Sequence, residues 1–213
     1  MRIAVLGGTF NPVHYGHLRI AEEVREALGL DKALFIPTSL TPLKEEEPIS
    51  PEARLEMLKL AIRDNPHFEA SDIEIKRGGR SYTVDTVREL KRADKGLKIS
   101  LVVGNDSFNT IASWCEYEEL FKSANFVVVQ RPGYPVKKPG EALPVELARK
   151  FWYDSNADSF MNSYGNSLTY LSTTLLDISS SEIRRRVKEG GSIRYLLPEG
   201  VIDYITKKGY YRQ

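Results

Sequence analysis

Cysteine is almost missing from this chain: Cys115 is the only one in 213 residues. A lone thiol excludes an internal disulfide and suits a reducing compartment. Charge of one sign is missing too. The formal net charge is +1, from 30 basic and 29 acidic side chains, so neither a nucleic-acid groove nor a cationic membrane face is expected. Small anionic ligands stay open, because a local site can be positive on a neutral protein. Nothing approaches the roughly 20 apolar residues of a membrane span. Only Ile3-Ala4-Val5-Leu6 separates Met1-Arg2 from Gly7-Gly8, too little for a secretory leader. The expectation is a cytoplasmic protein without nucleic-acid or membrane partners, with homo-oligomerisation left open. Histidine is scarce as well, three in all, yet His14 and His17 fall within four residues of each other.

What is present is an alternation of strands and helices. Ile3 to Leu6 is a short apolar run ended by glycines, as in a strand buried on both faces. From about His14 to Leu28, apolar residues at Leu18, Ala21, Val24, Ala27 and Leu28 keep helical spacing, and Gly29 is the stop. Ala33 to Pro37 reads as a second strand. Ser50-Pro51-Glu52 starts a helix that runs to about Asp64. Phe68 to Ile75 reads as a strand, Thr83 to Ala93 as a helix, and Ile99 to Val103 as a central strand ending at Gly104. Phe126 to Val129 reads as the last strand. Asp154 to Asn166, rich in Ser, Asn and Asp, reads as a surface excursion. Ser179-Ser180-Ser181-Glu182 is a capping box opening another helix, and Val201 to Lys207 is a closing one. The expected fold is α/β, a doubly wound, mostly parallel Rossmann-like sheet with a small C-terminal helical portion. All 213 residues are expected to form one domain. In such a sheet ligands sit beyond the carboxyl ends of the strands.

The glycines and histidines follow the first such end. Gly7-Gly8 lets main chain approach a ligand, and the helix after it offers amides to an anion. Two familiar phosphate loops fail: there is no GxxxxGK(S/T), and Gly7-Gly8-Thr9-Phe10 is not GxGxxG. His14 and His17, three apart, share a helix face and can donate to phosphate oxygens. A catalytic zinc needs a third ligand, and His67 and Cys115 lie in unrelated segments. No metal-ligating set is therefore expected.

Gly8-Thr9-Phe10-Asn11-Pro12-Val13-His14-Tyr15-Gly16-His17 resembles the (G/S)xFxPxHxGH signature of the HxGH nucleotidyltransferase superfamily. More closely, the chain is similar to the bacterial nicotinate-nucleotide adenylyltransferases. Four further blocks carry this: Thr41-Pro42-Leu43-Lys44; Gly79-Arg80-Ser81-Tyr82-Thr83-Val84-Asp85-Thr86; Gly104-Asn105-Asp106 with Trp114; and Ile178 to Arg184. The sequence departs from the pattern at Asn11, where Asp is usual, at Leu43, where His is common, and in a longer stretch from about 139 to 176.

The resemblance implies transfer of the adenylyl group of ATP to nicotinate mononucleotide, releasing pyrophosphate. It implies that His14, His17, Lys44 and Arg184 carry catalysis. ATP would lie against Gly8, Thr9, Phe10, Gly104, Asp106 and Ile178-Ser179-Ser180-Ser181, with residues 178–213 completing that site. Tyr82, Thr83, Trp114 and Arg131 would hold the nicotinate nucleotide, and Mg²⁺ would arrive on the ATP phosphates. Each assignment has a plainer rival. Lys44 precedes Glu45-Glu46-Glu47 and can be a solvated lysine, Asp106 a helix cap, Trp114 core, and the serines simply a cap. Phosphopantetheine adenylyltransferases and cytidylyltransferases share HxGH, and a nucleotide sensor without transfer activity is a further alternative.

Overall fold

The computed structural model describes residues 1–40 and 49–212. Its elements run β1 (Arg2–Gly8), α1 (Tyr15–Ala27), β2 (Lys32–Pro37), α2 (Pro51–Ile62), β3 (Phe68–Ala70), α3 (Ile73–Arg77), α4 (Thr83–Ala93), β4 (Lys98–Gly104) and α5 (Asn105–Phe108). They continue with α6 (Tyr117–Ser123), β5 (Asn125–Val129), α7 (Pro139–Ala142), α8 (Val145–Ala148), β6 (Phe151–Asp154), β7 (Ser159–Asn162), β8 (Ser167–Leu171), α9 (Ser180–Lys188) and α10 (Glu199–Lys208). The eight strands form one sheet in the order β3-β2-β1-β4-β5-β8-β7-β6. Six are parallel from β3 to β8; β7 pairs antiparallel with β8 and β6 antiparallel with β7, so β7 alone runs against the rest.

Strand residues divide strictly by parity between two cores. Ala4, Leu6, Ala33, Phe35, Val127 and Val129 face a layer built from α1, α2, α9 and α10. Ile3, Val5, Leu34, Ile36, Phe126 and Val128 face the layer of α4, α5, α6 and α8. Both faces are buried, which is why these strands read as unbroken apolar runs. The strand order reverses at β1, which lies between β2 and β4, so the crevice for a ligand opens beyond Gly8 and Gly104.

Local signals behave as their chemistry dictates. Ser50 Oγ accepts from Ala53 N at 3.3 Å with Pro51 in the first turn. Gly29 ends α1 with φ +56°, a conformation costly for any residue with a Cβ. Among the described residues no helix is long and apolar enough to cross a membrane.

Two expectations need correction. The strand expected over Phe68 to Ile75 stops at Ala70, and Ile73 begins α3. Ser71 takes the last ladder bond to Phe35 O, after which the helical turn brings Glu74 to Thr86 of α4, Oγ1 to Oε1 at 2.6 Å. The supposed excursion Asp154 to Asn166 is a β6–β7 hairpin that extends the sheet, so β5 is not the last strand. Two of its asparagines point inward. Asn162 and Asn166 both donate to Phe121 O, at 2.9 and 3.1 Å, and Asn166 also reaches Lys122 O. They satisfy carbonyls that the end of α6 would otherwise leave bare.

Candidate active site

The turn after β1 is shaped by its aromatic and its glycines. Phe10 has φ +47° and folds its ring back over Gly8, where a Cβ would meet that ring at 3.3 Å. The ring is buried with Phe35 and presents an edge-on contact to His17, centroids 5.0 Å apart. Any contact of Phe10 with nucleotide therefore falls to its main chain. The Asn11–Pro12 peptide is cis, and His14 is the extended residue that caps α1.

His14 and His17 stack, with centroids 3.7 Å apart and planes 29° apart. Gly16 makes room for this, because a Cβ there would lie 3.0 Å from the His14 ring. The main-chain N–H of His14 donates to His17 Nδ1 at 3.3 Å. A nitrogen that accepts carries no proton, so neutral His17 keeps its proton on Nε2. Burial, and then the Arg131 charge, lower the His14 pKa to about 4. Burial, then His14 and Arg131, hold His17 well below its ordinary value. Both rings are neutral at pH 7 and donate from one nitrogen each. An entering anion would draw both pKa values upward.

Across the crevice, Gly104 brings two charged side chains together. A Cβ at 104 would lie 2.3 Å from Asp106 Oδ1 and 2.8 Å from Arg131 Cδ. Arg131 Nη1 pairs with Asp106 Oδ2 at 2.7 Å, and its main-chain N–H donates to Asn105 Oδ1 at the same distance. Asp106 Oδ1 is buried and has no partner among the described residues. This carboxylate is not a helix cap, since no side chain caps α5.

From the C-terminal side, α9 docks directly on the β1–α1 turn. Ser179 Oγ accepts from Glu182 N at 3.2 Å, Ser180 Oγ donates to Pro12 O at 2.8 Å, and Ser181 Oγ accepts from Arg184 Nη2 at 3.3 Å. Arg184 Nη1 donates to Asn11 O at 2.7 Å. Ile178 O lies 3.7 Å from the position of a Cβ on Gly16. Ser180 and Arg184 tie α9 to the turn, while Ser179 and Ser181 bond within α9.

Tyr82 caps α4 with extended main chain and no side-chain bond to the first amides, and Thr83 is the first helical residue. Trp114 is half-buried against the core of that layer, beside Tyr117. Lys44, with Thr41 to Leu43, lies outside the described residues.

Three residues here escape sequence reasoning as site builders. Arg54 of α2 is completely buried and donates to Thr9 O at 2.7 Å, Thr38 O at 2.7 Å, Ser39 O at 3.1 Å and Ile49 O at 3.3 Å. It fastens the turns after β1 and β2 to each other. Its signal was an arginine one turn before Leu58, in line with the apolar face. Tyr211, two hundred residues from its partner, donates its hydroxyl to Asn11 Oδ1. Asn11 itself is buried beneath the turn.

Residues 5–186 match the model of the cytidylyltransferase-like family. The chain is 48% identical over 212 residues to a probable nicotinate-nucleotide adenylyltransferase of Geobacter metallireducens, covering 99% of this chain and 98% of that one. A probable nicotinate-nucleotide adenylyltransferase of Citrifermentans bemidjiense is 49% identical at the same coverage. Among solved structures, Plasmodium falciparum nicotinic acid mononucleotide adenylyltransferase complexed with NaAD has a TM-score of 0.74 at 19% identity, covering 99% of this chain and 97% of that one. That last likeness speaks for the fold alone. With nearly half of its residues matched end to end and the HxGH turn intact, the chain belongs to the cytidylyltransferase-like family and, within it, to the nicotinate-nucleotide adenylyltransferases.

Proposed function

We propose that the enzyme transfers the adenylyl group of ATP to the 5′-phosphate of nicotinate mononucleotide, forming nicotinate adenine dinucleotide and pyrophosphate for NAD biosynthesis. The acceptor phosphate is ionised at neutral pH, so the reaction needs no general base and no covalent intermediate. What remains is alignment and neutralisation of charge on the moving oxygens. The observation that carries this reading is the stacked His14–His17 pair at the mouth of β1, in which His17 Nδ1 accepts from the His14 main-chain N–H and so leaves Nε2 to donate. An Nε2–H aimed at the reacting phosphoryl group strengthens its bond as charge builds there and becomes more basic with it. His14 and Arg184 serve the triphosphate, and Lys44 adds a further cation.

The nucleoside end uses Asp106, whose unpartnered Oδ1 suits a ribose hydroxyl. Gly8 and Thr9 line the approach of the phosphates by their main chain, and the start of α9 supplies amides. Among the described residues no three His, Cys, Asp or Glu side chains cluster as metal ligands. A Mg²⁺ would be held chiefly by triphosphate oxygens, whose charge it would neutralise.

The uncapped first turn of α4, after Tyr82, supports nicotinate as the base: amides there reward a carboxylate accepting at both oxygens. A carboxamide would leave one donor facing its NH₂, a loss of roughly 1–3 kcal/mol. Trp114 supplies a ring face for the pyridine. The test is pyrophosphate release from ATP across candidate acceptors. Nicotinate mononucleotide should exceed nicotinamide mononucleotide by at least about tenfold in kcat/KM. Release with phosphopantetheine, or none with any acceptor, refutes the reading.

A further inference from the structure

The stretch 139–176 supplies none of the site residues described above, yet it finishes the sheet with an unusual edge. β6 is the outermost strand, five positions along the sheet from β1. Among the described residues no strand pairs with its outer side. Ser163 N donates to Lys150 O at 3.0 Å, and β6 pairs Phe151 with Asn162 and Tyr153 with Phe160. Antiparallel bonding alternates along a strand, so Lys150, Trp152 and Asp154 turn their main chain towards β7. Phe151 and Tyr153 turn theirs outward. Large aromatics flank this open row: Trp152 is 54% exposed and Tyr153 is 55% exposed.

Open edges are usually blunted by brevity, proline or a charge in the middle of the strand. The opposite edge, β3, has three residues, with Glu69 at its centre paired to Lys32. At β6 the charges stand at its margins and are of opposite sign: Asp154 ends the strand, and Lys150, which donates to the Tyr164 hydroxyl at 2.7 Å, immediately precedes it. Lys150, Trp152 and Asp154 share one face. If two copies of Lys150-Phe151-Trp152-Tyr153-Asp154 lie antiparallel with Trp152 opposite Trp152, Lys150 of each copy meets Asp154 of the other. Phe151 then meets Tyr153, the two residues whose N–H and C=O groups point outward. A slip by two residues in either direction keeps the bonding phase, but pairs only one of the two outward residues within the strand and loses both charge pairs. The strand is complementary to itself in one register.

We propose that β6 is the docking surface for a second copy of this chain, forming a two-fold dimer by joining the two sheets edge to edge. The pairing is isologous and closes after two copies, since each uses up the other's edge. A strand of four residues gives a small interface, at the weak end of specific association. Both active sites lie far along their own sheets and stay open.

Light scattering or sedimentation equilibrium across roughly 1–200 µM should show the mass rising towards twice the 24.1 kDa of one chain. Trp152→Lys sets like charges face to face and should keep the protein monomeric throughout. Tyr153→Pro deletes an outward N–H at a place where an edge strand tolerates proline, and should weaken the dimer at least about tenfold. Lys150→Glu and Asp154→Lys should each disrupt it, and the double exchange should restore it. All variants should retain the wild-type circular dichroism and adenylyl transfer per chain, which separates this proposal from the functional reading. A wild type that stays monomeric at 200 µM, or a dimer indifferent to these changes, overturns it.

Discussion

At the level of single residues, the site works because small groups keep large ones in place. Gly16→Ala would push a methyl group against the His14 ring and unstack it from His17. We expect kcat to fall at least about tenfold with little change in melting temperature. His17→Ala should leave the fold and acceptor binding nearly intact and collapse turnover, by roughly two to four orders of magnitude, the scale at which removing one preorganised donor is felt. Steady-state kinetics checks both, and an unchanged kcat in His17→Ala would remove the histidine from the mechanism. The same two rings set a pH dependence of stability. Their folded pKa values lie below 6.5, so the unfolded chain binds more protons as acid is added. Stability should fall as pH drops from about 6.5 towards 4, by about 3 kcal/mol for His14 alone, with His17 acting in the same direction. Thermal melts of the wild type and of His14→Gln across that window should diverge, the variant being less sensitive.

Single elements carry the site on bonds that reach outside themselves. α9 enters through Ser179, and Ser179→Ala should cost about 1 kcal/mol through the lost cap. Because the same helix supports the Asn11-Pro12 turn, KM for ATP should rise as well. A melt alongside kinetics distinguishes this from simple unfolding, since the rise should appear well below the melting temperature. α2 bears a heavier responsibility. Arg54→Ala leaves four carbonyl bonds unmade in a closed interior, and each bare group costs roughly 1–3 kcal/mol. We expect severe destabilisation, read directly from urea unfolding.

Elements also differ in how plainly the sequence announces them. α4 and the start of α2 are legible residue by residue, because caps and helical periodicity are local properties. The β1 turn is legible because its glycines and histidines stand where an α/β sheet opens. The hairpin is not. Its polar residues look like a solvated loop, and only the distant ends of α6 reveal that Asn162 and Asn166 are acceptors' partners rather than surface. Arg54 and Tyr211 are illegible for the same reason: their partners lie 45 and 200 positions away. Periodicity carries no record of such distances.

In the whole molecule, the first turn of the chain is held by its last segments. The turn that carries His14 and His17 comes first in the sequence, yet Arg184 and Tyr211 hold it from the other end. Tyr211→Phe removes one hydroxyl from buried Asn11 and should lower kcat about fivefold or more, whereas Asn11→Asp, which still accepts that hydroxyl, should retain most activity. A loss of thermal stability alone in Tyr211→Phe, with kcat unchanged, would make the contact merely structural. The geometry also orders events during synthesis: β1 and its turn leave the ribosome early, but the contacts from Arg184 and Tyr211 form only after those late residues emerge, so the turn is fully supported last. It also decides where a fusion tag belongs. Met1 is exposed at the end of β1 remote from the turn, so a leading tag is harmless, whereas a bulky partner joined directly behind Tyr211 would pull on the hydroxyl that steadies Asn11.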